Sequence, residues 1–159
     1  LAPYKRFDLV VEAFKSLGSA YKLKIFGDGA DLERLKMIAG KADNIEFLGR
    51  VSEDDKAKLF QGAQAFINPQ EEDFGITVVE SMASGRPVIA YRLGGATETI
   101  IENETGVFFN EQTKESLVEA IKKFETINFN SQDIRTHAEK FSVANFNQQI
   151  RDFIAKHKK

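Results

Sequence analysis

Apolar residues recur along this chain at two alternating spacings. Leu9, Val10, Ala13, Phe14 and Leu17 repeat at three- and four-residue intervals and predict one apolar helix face over about Phe7–Leu17. Tyr21–Gly27 (YKLKIFG) then alternates and is rich in β-formers, which predicts a strand. Asn44–Gly49, Ala63–Pro69, Pro87–Tyr91 and Thr105–Phe109 read as further strands. Helices are predicted between them. One covers Ala30–Gly40, and one runs from Ser52, a good N-cap, to about Gln61. One runs from Ile76 to Ser84 and stops at Gly85, and a short one holds Thr97–Glu102. The last, Lys114–Phe124, turns Leu117, Val118, Ile121 and Phe124 inward. Strands alternating with helices predict an α/β fold with a Rossmann-like, doubly wound parallel sheet.

Beyond Glu125 the strands stop. Asn128–Ser131 reads as a loop, and helices are predicted over Gln132–Phe141 and Val143–His157. The expected division is a domain over 1–127 and a C-terminal helical tail over 128–159. Leu1-Ala2-Pro3-Tyr4-Lys5 reads as a loop already under way, so a longer protein is expected.

Composition narrows the chemistry. At 159 residues the chain is long enough for one well-buried core. No cysteine is present, which removes disulfides, thiolate catalysis and thiolate metal sites. His137 and His157 are the only histidines and both lie late in the chain, which argues against a His-based metal site or catalytic triad. A net charge of −2 gives no nucleic-acid surface. No apolar run approaches the roughly 20 residues of a membrane span, and no signal peptide is visible, so a cytoplasmic location is expected. The closing Lys156-His157-Lys158-Lys159 reads as a solvated end, with a weak peripheral contact to a membrane surface as the second reading.

Candidate chemistry concentrates in Gln70–Ser81 (QEEDFGITVVES), which follows a predicted strand and opens a predicted helix. Ligands of open α/β sheets bind at the carboxyl ends of strands. A helix starting near Ile76 would present unpaired N–H groups and a dipole that favours an anion. Gly75 permits close approach of a ligand to the backbone. Glu80, about one turn into the helix, is placed to accept hydrogen bonds from a diol such as a ribose, and Glu72 lies on the loop. Another reading is open: Thr77-Val78-Val79-Glu80 fits a capping box, in which Glu80 only satisfies a backbone donor. Gly27-Asp28-Gly29 is open in the same way, as a tight βα turn or a phosphate loop, and the full G-x-G-x-x-G fingerprint is absent.

Glu72-x7-Glu80 with Phe74-Gly75 inside, followed by Ser81-Met82-Ala83-Ser84-Gly85-Arg86-Pro87-Val88-Ile89-Ala90, resembles the signature of retaining glycosyltransferases of family 4. Gly27-Asp28-Gly29, Phe47-Leu48-Gly49-Arg50-Val51, Gly94-Gly95-Ala96-Thr97-Glu98 and Thr105-Gly106 match the same family in order and spacing. The resemblance runs from Lys5 to about Phe124. It implies the C-terminal, donor-binding half of a GT-B architecture, and sugar transfer from a nucleoside diphosphate donor with retention at the anomeric carbon. It implies no metal and no cofactor.

By that resemblance the catalytic candidates are Glu72, which contacts the donor sugar, and Lys5, which contacts the diphosphate. As a lone residue Lys5 reads as a solvated surface lysine, and the resemblance gives the diphosphate contact equal standing. Glu80 would hold the ribose. Backbone groups of Phe74, Gly75 and Ile76, with the helix N-terminus near Thr77, would line the sugar and phosphate subsite. Arg50 and Val51 would form the base pocket. Arg6 is left as surface, and Glu53 as a first-turn acid.

The resemblance also implies a preceding strand ending in Gly-Arg, and a tail that packs on an N-terminal domain carrying the glycan or lipid-linked acceptor. Ile150, Phe153 and Ile154 would then be exposed in the fragment. The fragment alone is expected to bind a nucleotide sugar without turning it over. Glu71-Glu72-Asp73-Phe74-Gly75-Ile76, with Phe108–Thr113, looks most like bacterial surface-polysaccharide mannosyltransferases. That favours GDP-mannose over a UDP-sugar. Asp73 and Ser81 depart from the usual family residues, and Asp73 adds negative charge near the phosphate subsite.

Overall fold

The computed structural model describes residues 1–157. After a 3-10 turn at Pro3–Lys5 come α1 (Phe7–Leu17), β1 (Leu23–Phe26), α2 (Leu32–Ala39) and β2 (Ile45–Gly49). These are followed by α3 (Glu53–Gly62), β3 (Phe66–Asn68), α4 (Ile76–Ala83) and β4 (Val88–Tyr91). Then come α5 (Ala96–Thr99), β5 (Gly106–Phe109), α6 (Lys114–Glu125) and α7 (Ser131–Ala138). A 3-10 turn at Glu139–Phe141 leads to α8 (Val143–His157). Lys158 and Lys159, the last two lysines of the basic end, lie outside the described residues.

Local chemistry explains most boundaries. Ser52 caps α3 by accepting from the Asp55 N–H, as its position predicts. Thr113 and Asn130 cap α6 and α7 in the same manner. Gly85 ends α4 at φ 75°, where a side chain would also meet the Arg135 guanidinium at 2.9–3.1 Å. The short α5 stops earlier than its sequence suggests, because the Thr105 hydroxyl takes the Ile101 N–H at 2.9 Å.

Every strand pairing is parallel. The strands fall into two sheets rather than one, β1-β2 and β3-β4-β5. Among the described residues β1 and β3 each keep one edge without a strand partner. Leu1 lies at the carboxyl end of β1, where its carbonyl accepts from the Asp31 N–H at 3.3 Å and its amino group meets the Asp28 carbonyl.

Two apolar layers cover the strands. Ile89, Val107 and Phe109 pack with Val10, Val11 and Phe14 of α1 and with Leu117 and Ile121 of α6. Leu23 and Ile25 of β1 join the same cluster, so α1 spans both sheets. The alternate residues Val88, Ala90 and Phe108 face Val78 and Met82 of α4 and Ile134 and Ala138 of α7. This period-two division of each strand between two helical layers makes the fold doubly wound and Rossmann-like.

The predicted tail divides in two. Ser131–Phe141 packs on α4, whereas α8 buries no residue and exposes Val143, Phe146, Ile150, Phe153 and Ile154.

Candidate functional site

The register of the larger sheet sets Asn68 beside Ala90, so the chain leaves neighbouring strands β3 and β4 at one edge. The loop after β3 carries Glu72, and the turn after β4 carries Gly94 and Gly95. They meet backbone to backbone. The Gly95 N–H donates to the Glu72 carbonyl at 2.7 Å. A Cβ on Gly95 would lie 2.3 Å from the Asp73 carbonyl oxygen, and one on Gly94 would lie 2.5 Å from that of Glu72. Only glycines admit this approach.

Gly75 then takes the left-handed conformation (φ 79°, ψ 64°) and caps α4 with no side chain. Its carbonyl accepts from the Val78 and Val79 N–H groups at 2.9 and 3.4 Å. The N–H groups of Ile76 and Thr77 find no acceptor among the described residues and open toward the loop. This is the anion-favouring end of the helix.

A glutamate stands on each side of that end, and each meets a lysine. Lys5 Nζ donates to Glu72 Oε1 at 3.0 Å, and Gln70 Nε2 reaches the same oxygen. Glu72 Oε2 lies 3.6 Å from where a Gly75 Cβ would stand. Lys56 Nζ donates to Glu80 Oε1 at 2.9 Å and lies 2.7 Å from Glu53 Oε2. Glu53 first and Glu80 second raise the Lys56 ammonium above its usual range.

The capping-box alternative does not form. Helix α4 begins at Ile76, so Thr77 is already inside it, and Glu80 pairs with Lys56 instead of returning to a backbone N–H. Among the described residues the second Glu80 oxygen meets no hydrogen-bond partner.

Lys5, Glu72, Phe74, Gly75, Ile76 and Thr77 lie on or against the loop that opens α4, and Glu80 lies about one turn into the same helix. Arg50 and Val51 stand apart from them. The Arg50 guanidinium is largely exposed and lies 3.9 Å from Asp28, and Val51 lines a shallow cleft with Leu48 and Leu59. Their link to Glu80 runs through α3, from Val51 to the Ser52 cap, to Glu53 and then to Lys56. Gly27-Asp28-Gly29 forms a tight turn filled by Leu1, whose backbone occupies the place of a Gly29 side chain.

Sequence reading missed three participants. Lys56 could have been noticed from its three-residue spacing to Glu53. Arg6 is no free surface residue. It holds a left-handed conformation (φ 53°), and its guanidinium donates to the Gln112 side chain and carbonyl at 3.1 and 3.3 Å. Gln112 in turn donates to the Pro69 carbonyl at 2.9 Å, tying the Lys5 segment to the root of the acidic loop. No local signal marks Gln112.

Among the described residues no group of three His, Cys, Asp or Glu side chains is arranged to hold a metal ion. No helix among them is long and apolar enough to cross a membrane.

Comparison with known proteins matches residues 1–141 to the family described as glycosyl transferases group 1. An uncharacterized glycosyltransferase of Methanocaldococcus jannaschii is 31% identical over 122 residues, covering 75% of this chain and 34% of that protein. The GDP-mannose-dependent alpha-(1-6)-phosphatidylinositol monomannoside mannosyltransferase of Mycobacterium tuberculosis is 34% identical over 137 residues, covering 76% of this chain and 35% of that protein. Among solved structures, Anabaena HepE in complex with UDP and glucose superposes with a TM-score of 0.82 at 22% identity. It covers 98% of this chain and 46% of HepE. The lipopolysaccharide outer core galactosyltransferase WaaB, in its apo form, gives 0.84 at 18% identity, with 98% and 46% covered. The chain thus spans about a third of these curated relatives and just under half of these structures.

Proposed function

The chain belongs to the group 1 glycosyl transferases, and we propose that it is the donor-binding half of a retaining, family 4 enzyme of GT-B architecture. In this reading the enzyme moves a hexose from a nucleoside diphosphate to a glycan or lipid-linked acceptor. The observation that carries it is the unblocked N-terminus of α4, flanked by two glutamates that are each held by a lysine.

The departing diphosphate gains negative charge as the glycosidic bond breaks. The Ile76 and Thr77 N–H groups and the Lys5 ammonium supply preorganised positive potential for it. Lys5 neutralises Glu72 in the unliganded site, so donor binding redirects the ammonium to phosphate and leaves Glu72 facing the sugar. Glu80, steadied by Lys56 through one oxygen, offers the other to the ribose hydroxyls. Arg50 and Val51 flank the base. The chemistry asked of these groups is electrostatic and positional, and no step calls on a metal or a cofactor.

GDP-mannose is the favoured donor. The Mycobacterium tuberculosis relative named for that donor supports it, as do the loop residues Glu71–Ile76. The second reading is a UDP-sugar donor, favoured by the UDP and UDP-glucose complexes of the structural neighbour HepE. The acceptor would be met outside this chain, so the chain by itself acts as a nucleotide-sugar binding module. The reading places it in the cytoplasm, at the inner face of a membrane where lipid-linked acceptors are found.

Calorimetric titration with GDP, GDP-mannose, UDP and UDP-glucose tests this, with Glu80→Ala as the control. Guanosine-selective binding that the substitution removes supports the mannosyltransferase. Uridine selectivity keeps the transferase and replaces the donor. Binding that Glu80→Ala leaves untouched defeats the site assignment.

A further inference from the structure

A closed circuit of contacts ties the acidic loop to a part of the chain some 65 residues further on. The Phe74 ring stands edge to face with Phe141, with centroids 6.0 Å apart at 68°. Phe141 meets the His137 ring in the same manner, at 5.5 Å and 74°. His137 Nε2 donates to the Thr99 carbonyl at 2.7 Å. Its Nδ1 is buried with no partner among the described residues, so that single bond and ring packing hold the imidazole. The buried Thr99 hydroxyl donates to the Gly95 carbonyl at 3.0 Å, and the Gly95 N–H donates to the Glu72 carbonyl at 2.7 Å. Phe74 lies two residues after Glu72, and the circuit closes.

The circuit has a firm side and a soft side. Ile134 and Ala138 bury α7 against Val78 and Met82 of α4, and the 3-10 turn carrying Phe141 continues α7 directly. The loop has no ladder of its own, and Phe74 remains 46% exposed. A segment with so little burial opens readily unless something distant holds it.

We propose that His137 and Phe141 are positioning residues of the donor site. They fix Phe74 from one side and, through Thr99 and Gly95, the Glu72 backbone from the other. Glu72 and the Ile76 and Thr77 amides are thereby set at one fixed separation. The ligand in this inference rests on the donor-site reading above, whereas the mechanical claim does not.

Amide hydrogen exchange of the unliganded chain, joined to titration with GDP, GDP-mannose, UDP and UDP-glucose, separates the two. Phe141→Ala is expected to speed exchange of the Gly95, Val78 and Val79 amides, which donate to the loop carbonyls of Glu72 and Gly75, by about tenfold, the scale of one aromatic pair, with β1 and β2 unchanged. It weakens the nucleotide sugar several-fold more than the matching nucleoside diphosphate. Phe141→Leu, which refills the gap between Phe74 and His137, restores most of both. Phe74→Ala combined with Phe141→Ala does no more than either alone. Unchanged exchange of the Gly95, Val78 and Val79 amides in Phe141→Ala overturns the proposal, and so does a rise spread equally over β1 and β2. If the wild-type chain binds none of the four ligands, the donor-site reading fails, and the exchange result alone decides the circuit.

Discussion

Glu72 and Glu80 end in similar surroundings but arrive there by different routes. Each sets one carboxylate oxygen on a lysine, at 3.0 and 2.9 Å. Glu80 rides on a helix whose own face is anchored by Val78 and Met82. Its lysine comes from α3, a neighbour with its own N-cap. Glu72 rides on an irregular loop. Its lysine is 67 positions away in sequence, and its backbone leans on Gly95 and, through Phe74, on Phe141. One carboxylate is placed by local rules and the other by a confluence of remote segments. The Glu80 side should therefore tolerate distant change, and the Glu72 side should not.

Replacing the well-placed carboxylate gives the largest expected effect on binding. In the proposed donor site Glu80→Ala would remove two charge-assisted bonds to the ribose, each about 1.5 kcal/mol or more, so Kd should rise about 100-fold by calorimetry. The fold should be unaffected, because the Glu80 side chain is partly exposed and caps nothing.

Gly95→Ala tests the other side. The new methyl would meet the Asp73 carbonyl at 2.3 Å, so the loop must shift. A destabilisation of about 1–3 kcal/mol, read from the denaturant midpoint, is the scale of such overpacking. Discrimination between nucleotide sugar and nucleoside diphosphate should fall while ribose-dependent binding survives.

Lys56→Met should weaken nucleotide binding only about two- to five-fold, since Glu80 stays on its helix and part-exposed pairs are worth at most about 1 kcal/mol. A loss as large as that of Glu80→Ala would mean that Lys56 touches the ligand itself.

The smallest effect is expected at Glu102, far from both. Arg92 first and Lys123 second hold its carboxyl below the usual carboxylate range. Its contribution is present above the unfolded pKa and lost as pH falls through the lowered folded one. Glu102→Gln should cost about 0.5–1 kcal/mol at neutral pH. Melting curves of the two proteins should converge on acidification.

The same contrast governs what the sequence made legible. The five strands, most helices between them and the caps at Ser52 and Gly85 follow from periodicity and local chemistry, whereas the split into two sheets and the early end of α5 depend on tertiary contacts. The Glu80 side was nearly complete in the sequence, and the structure then removed its capping-box alternative by starting α4 at Ile76. Lys56 escaped because nothing local says that α3 leans over α4. On the Glu72 side the residue could be named but its support could not. Gln112, His137 and Phe141 act across 38 to 69 positions of sequence, counting from Pro69 for Gln112, Thr99 for His137 and Glu72 for Phe141. Their roles exist only after the sheet has brought neighbouring strand ends together. Arg6 shows the limit most plainly. A non-glycine residue at φ 53° is not foretold by composition, and its compensation is a guanidinium bonded to Gln112.

The central claim is that Glu80 receives a ribose diol beside an anion held at the start of α4. It is tested most directly by comparing the affinity of GDP with that of its 2′,3′-dideoxy analogue, in the wild-type chain and in Glu80→Ala, with the uridine pair run in parallel. Removing the hydroxyls should weaken wild-type binding at least about tenfold, the scale of a bond to a charged group. In Glu80→Ala both forms should bind alike, at the weaker level. Equal discrimination in the two proteins would contradict it and move the ribose away from Glu80.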